Sequence, residues 1–183
     1  MKKLKKESKQ TSSVIFCLLL IITLLIGYIM NFSRIGQPLL STYGRDVGML
    51  DMKLYYTRIE ALKLFDILGA KGIKDYTRIL FVDFIFIICL AFVMSFLMKK
   101  FLNKMEVPHK LEKIYLLAYI RAFFDLFENI LLLISMKHLF LRNLFLSIAG
   151  VVTFFKWVTM GLYFLFILLI LINKFVTGFK QIS

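Results

Sequence analysis

The chain has 183 residues, 60% of them hydrophobic, with a formal net charge of +13 and a mean hydropathy of +0.82. So much apolar sequence leaves no room for a water-soluble catalytic domain. Lys and Arg flank the apolar stretches rather than forming a stripe, which favours membrane topology and contact with anionic lipid and argues against nucleic acid as a partner.

Residues 1–13 form a basic tail that holds Lys2, Lys3, Lys5, Lys6 and Lys9. The apolar run after it, Val14–Met30, is the first of four stretches of about the 20 residues that a spanning helix needs. A basic start followed by an apolar run also describes a signal peptide. The run is long and no small-x-small cleavage site follows, so an uncleaved signal anchor is expected. The other spans are predicted near Ile79–Met98, Ile114–Ser135 and Leu144–Ile172. The last is overlong and is expected to tilt or project. The fold class is therefore all-α, an integral membrane bundle of four transmembrane helices in a single domain over 14–183.

The amino-terminal lysines place that end in the cytoplasm, and four spans return the carboxyl end to the same side. The connection Lys99–Lys113, with five lysines, then lies inside. The first connection, residues 31–78, lies outside with eight basic and five acidic residues, a length that translocates largely regardless of charge. Within it, Thr57-Arg-Ile-Glu60 reads as a capping box. Ala61, Leu64, Phe65 and Leu68 recur at helical spacing, and Gly69 is a natural stop. A short amphipathic external helix near 57–69 follows, lying over the bundle or at the membrane surface. Pro38, Gly36, Gly44 and Gly48 favour an irregular entry before it.

Cys17 and Cys89 fall inside predicted spans and outside any ligand pattern, so they read as packing residues. His109 and His138 lie in connections on opposite faces and cannot share a metal. Neither a metal site nor a cofactor is expected.

The third stretch carries four polar side chains: Arg121, Asp125, Glu128 and Asn129. Charged groups at such depth cost roughly 2.5–3.5 kcal/mol each by insertion scales, so they face a protein interior and mark a working site. Spacings of four and three put Arg121, Asp125 and Glu128 on one helix face with Asn129 beside it. Arg121 can pair with Asp125, which leaves Glu128 in need of a partner. Counting inward from the outer turn puts Lys156 at the depth of Asp125, with Glu128 about one turn further out and Asp83 shallower again. These six residues are the candidate ligand-binding set, converging in the outer half of the bundle. A static internal pair that only fixes helix register accounts for the same residues.

Tyr56-Thr-Arg-Ile-Glu-Ala61, Leu68-Gly69-Ala-Lys-Gly72, Tyr76, Asp83 and Asp125-Leu-Phe-Glu128-Asn129 follow one another at intervals that resemble a family of small bacterial four-span membrane proteins of unassigned role. In that family an external helix ends in a Leu-Gly-x-x-Gly-Arg turn and leads to a Tyr and an Asp, and a later span carries Asp-x-x-Glu-Asn. The resemblance covers about Tyr56–Leu132. Ile73 stands where the pattern has Arg, and Ile87 where Pro is common. It implies that Asp83 belongs with Asp125, Glu128 and Asn129, and it implies a bacterial plasma membrane, crossed several times; that both termini are cytoplasmic follows from the lysines and the number of spans. It implies no activity.

The function expected from these features is an outward-side intramembrane polar pocket for a small amphiphile, a lipid headgroup or a partner membrane helix. Lys156 would neutralise an anionic group there, and Asn129 and Glu128 would supply hydrogen bonds. Membrane lipids are the expected surroundings. The alternatives are an intramembrane enzyme on a lipidic substrate, with Glu128 or Asp125 as general acid/base, and a structural or immunity-type protein. An ion conduit is a further class, for which no filter pattern is visible.

Overall fold

The computed structural model describes residues 2–44, 47–105 and 107–180. Side chains of residues 2–13, His109 and 177–180 lie outside that description. The basic character assigned to the amino-terminal tail therefore lies largely outside the described side chains.

Every regular element among the described residues is helical: α1 (Lys2–Phe32), a short α2 (Gln37–Leu40), α3 (Arg58–Met105), α4 (Leu117–Lys137) and α5 (Arg142–Lys180), with 3₁₀ turns at Leu50–Met52 and His109–Leu116. Three of the long helices, α1, α3 and α5, are long and apolar enough to cross a membrane. The fourth, α4, has 21 residues and carries Arg121, Asp125 and Glu128 along its middle. The third apolar stretch is expected as a span near Ile114–Ser135. The chain leaves Pro108 in a 3₁₀ turn and becomes α-helical at Leu117.

Two large apolar clusters, with a small third around Ile87, Ala91 and Ala122, are found among the described residues. One joins the first connection to the neighbouring ends of α3, α4 and α5, through residues such as Leu50, Tyr56, Phe65, Leu80, Leu132 and Leu146. The other closes the opposite end around Met94, Met98, Leu102, Ala118, Tyr163 and Ile170. The Tyr163 hydroxyl donates to the Met94 carbonyl at 3.0 Å there. Elsewhere the helices turn large apolar side chains outward, among them Leu24, Phe81, Phe164 and Leu168, each at least half exposed.

The first connection is built as its sequence suggests at its end and differently in its middle. Thr57 caps α3 reciprocally: its amide donates to Glu60 Oε2 at 2.7 Å, and the Glu60 amide donates to Thr57 Oγ1 at 3.2 Å. Ala61, Leu64, Phe65 and Leu68 are buried, whereas Glu60, Lys63 and Asp66 are exposed. Gly69, at φ 57° and ψ −170°, breaks α3 into two limbs, a conformation that a residue without Cβ adopts at little cost.

Residues 47–56 do not lie on top of the bundle. Val47, Met49, Leu50, Asp51 and Tyr56 are buried while 52–55 stay exposed, so the segment is set into the bundle at both ends and bows outward between them. Two contacts fix it. The Leu50 amide donates to the Tyr76 hydroxyl at 2.9 Å, and the Tyr56 carbonyl packs on Gly150 of α5, where an added Cβ would meet it at 2.1 Å. An apolar segment buries more surface by inserting than by lying across helix ends, and the absent side chain at Gly150 leaves it the space.

Gly150→Ala is therefore expected to displace the inserted segment and destabilise the fold by about 1–3 kcal/mol, the usual range for overpacking, read as a lowered thermal midpoint in detergent. At the start of α3, hydrogen bonds from the Thr57 amide and hydroxyl hold the Glu60 carboxyl below its ordinary range. A lowered acid contributes stability above its unfolded value and loses it as pH falls through the folded one. Amide exchange over the first turn of α3, corrected for intrinsic rate, should accelerate below about pH 4, and Thr57→Ala should show that acceleration at neutral pH.

Candidate functional site

Between the two apolar clusters lies a layer of polar groups supplied by α3, α4, α5 and the inserted segment. Helical spacing on α4 puts Arg121 and Asp125 one turn apart, and Arg121 Nη2 meets Asp125 Oδ2 at 2.6 Å. Lys156 comes from α5 and is 3% exposed. Its Nζ lies 3.1 Å from Asp125 Oδ1 and 2.8 Å from Glu128 Oε2. The first of these is a hydrogen bond; the second is an ion pair without hydrogen-bond alignment. Lys156 also donates to the backbone carbonyl of Asp51 at 2.8 Å. On the facing side, Asn129 Nδ2 donates to Asp83 Oδ2 of α3 at 2.7 Å. The structure thus brings Asp83, Arg121, Asp125, Glu128, Asn129 and Lys156 into one layer.

The binding reading gives Lys156 an anionic group to neutralise, and the static reading pairs it with Asp125 or Glu128. In the structure it is spent on Asp125, Glu128 and the Asp51 carbonyl. An ammonium has three donors, so little is left of it for a guest.

The residue that sequence reasoning missed is Asp51, 7% exposed. It sits in the 3₁₀ turn of the inserted segment, and burial pushes its carboxyl above the ordinary range while Lys156 pulls the other way. One signal was available. In Gly48-Met-Leu-Asp-Met52 a single acid interrupts apolar residues, as an acid does when the stretch around it is buried. Tyr56, from the same segment, buries its hydroxyl beside Glu128 without hydrogen-bond geometry, and burial followed by the Glu128 charge raises its pKa.

Asp51, Asp83 and Asp125 come from three separate parts of the chain, and each offers a carboxylate oxygen within 4.8 Å of the other two. They line a cavity of about 80 Å³ with Arg121, Lys156 and Trp157. Gly27, Met30 and Asn31 of α1 close one wall. No short-range motif shows such a trio, because its members are 32 to 74 positions apart. His138 is exposed at the end of α4, away from these acids. Cys89 is buried and Cys17 exposed, both unbonded to each other.

Chemically, the layer can hold charge out of water, keep α4 and α5 in register, and take a small polar group against the acids. Comparison with protein-family models, with curated proteins and with solved structures returned no match.

Removing one partner of a buried pair leaves the other charge uncompensated, at a cost of about 3–5 kcal/mol. Lys156→Met should lower stability by that amount in chemical denaturation of the detergent-solubilised protein, because Glu128 then has no cation. Adding Glu128→Gln to Lys156→Met should recover part of the loss. Equal or additive losses would show that the two groups do not interact.

Proposed function

We propose that this chain is an integral membrane protein of four spans, with both termini cytoplasmic, whose outward half holds a polar pocket for the polar end of a small amphiphile or lipid. Four-span insertion is supported by α4 itself. Its 21 residues extend about 31 Å, the thickness of a hydrocarbon core, and its charged residues are turned inward against α3 and α5. The outward-facing apolar side chains of α1, α3 and α5 suit lipid tails. A bacterial plasma membrane is the setting that the motif resemblance implies.

The observation that carries the reading is the cavity beside Lys156. It is lined by acids whose own partners do not fill it. Ligand sites are concave and largely apolar with a few convergent polar groups, and this one fits that description on a small scale. With Lys156 held internally, the guest is bound by Asp51 and Asp83, with Asn129 holding Asp83 from behind, and it carries positive charge or brings a cation with it. A partner helix has no place in a space of this size. An enzymatic reading lacks a group set opposite Glu128 or Asp125 to act as its counterpart in proton transfer, since both carboxylates already face cations. A purely structural role is favoured by the internal saturation of Lys156 and opposed by the unfilled acids around the cavity.

Native mass spectrometry of the protein purified in a mild detergent tests the reading. A small amphiphile or lipid should leave the membrane with the wild-type chain and be depleted in Asp83→Asn at unchanged thermal stability. A wild-type protein that carries nothing beyond bulk lipid, or an adduct that is indifferent to Asp83, would leave the structural reading in its place.

A further inference from the structure

The acids around the cavity outnumber the cations that could balance them. Asp51, Asp83, Asp125 and Glu128 are each at least nine-tenths buried, and among the described residues the cations paired within this group are Arg121 and Lys156. Two negative charges are left over in a site closed off by apolar clusters on either side. Isolated charges in such surroundings are costly enough that they are paired, neutralised or bound to a metal.

The shortage is local. Asp125 already has Arg121 on one oxygen and Lys156 on the other, and Glu128 has Lys156. Asp83 has an amide donor only, from Asn129. The side-chain Oδ1 of Asp51 is buried with no hydrogen-bond partner among the described residues, although its carboxylate faces those of Asp83 and Asp125 and lines the cavity. Asn129, fully buried, likewise leaves Oδ1 without a donor. A buried carboxylate oxygen without a donor, on a residue grouped with two other acids around a cavity, is what a cation site presents.

We propose that Asp51, Asp83 and Asp125 form a site for one divalent cation of calcium size, held between the inserted first connection and helices α3 and α4. The proposal rests on the pocket reading above and names what neutralises the pocket. Calcium takes oxygen ligands at about 2.3–2.6 Å, so three oxygens around one ion lie up to about 4.5 Å apart, and a trio already within 4.8 Å of one another needs little contraction to close on it. Magnesium, at about 2.0–2.1 Å, would need the carboxylates to draw in closer. The 80 Å³ cavity leaves room for the waters that would complete the ion's coordination. A carboxylate has lone pairs for more than one contact per oxygen, so Asp125 can keep Arg121 and Lys156 and still touch the ion. Two positive charges on the ion balance the two left over, and the bound ion joins the connection to the bundle.

Trp157, the chain's one tryptophan, lines the same cavity and supplies the readout. Terbium(III) substitutes for calcium and emits when a nearby indole passes it energy. The experiment uses the full chain in detergent after chelator treatment. Terbium luminescence excited through tryptophan should saturate at one ion per chain, and calcium should displace it with an affinity on the order of 10⁻⁴–10⁻³ M, as in extracellular calcium modules. Asp51→Asn should weaken binding by about tenfold or more, since even a supporting partner of a metal ligand is worth that much. That variant keeps the backbone carbonyl that Lys156 uses, so the α4–α5 pairs survive it. Trp157→Phe should lose the sensitised emission yet keep the rise in thermal midpoint that calcium gives.

No saturable terbium or calcium binding to the wild-type chain overturns the proposal, and the leftover charge is then carried as protons on Asp51 and Asp83. Binding that is unchanged in Asp51→Asn overturns it too. An amphiphile that co-purifies while neither ion binds defeats the cation site alone. Calcium binding with no co-purifying amphiphile upholds the cation site and defeats the ligand reading.

Discussion

The ammonium of Lys156 holds three separate pieces of this protein at one point. It touches Asp125 and Glu128 of α4, comes from α5, and binds the backbone of the inserted segment at Asp51. Inside a bundle such a group has no water to fall back on, so each contact it makes is also a constraint on where its neighbours stand. A slip of one residue between α4 and α5 would turn Lys156 away from both acids and leave Lys156 and Glu128 unpaired, while Asp125 kept Arg121. Replacing the cluster with apolar side chains could well match its stability. What those side chains could not supply is a unique register, or a place for a polar guest.

The polar layer owes its seclusion to what lies on each side of it. Toward the connection, Tyr56, Leu80, Leu132 and Leu146 belong to one apolar cluster; toward the opposite end, Met94, Met98 and Tyr163 belong to the other. The two clusters exclude water and strengthen every charge interaction between them, favourable or not. This is why Lys156 and Arg121 bind so closely, and why the acids they fail to reach matter so much. The inserted segment completes the enclosure, at a position that the missing side chain of Gly150 leaves open.

Much of this was legible in the sequence because helices are local objects. The four- and three-residue spacings of Arg121, Asp125 and Glu128 place them on one face whatever surrounds the helix. Lys156 could be matched to them because rise per residue converts sequence position into depth. The cap at Thr57 and Glu60, the stripe from Ala61 to Leu68 and the break at Gly69 are likewise set by neighbours in the chain. The inserted segment was not legible. Residues 47–56 have no period, and their burial is decided by Tyr76 and Gly150, which are remote in sequence. Asp51 was lost with them. The change from a 3₁₀ turn to an α-helix at Leu117 was not legible either, because hydropathy does not separate a 3₁₀ turn after a proline from the first turn of an α-helix.

The bond between Lys156 and the Asp51 carbonyl spans 105 positions. A ribosome finishes the first connection long before it makes α5, so the segment around Asp51 must wait, with its eventual berth not yet synthesised. Its tertiary place can be taken only after the last helix has arrived beside α4. Contacts of such long range are slow to form, because the chain between them must be ordered before they give anything back. Closure of the polar layer thus needs α5 in place, and a nascent chain released before α5 would leave a bundle with an open seam.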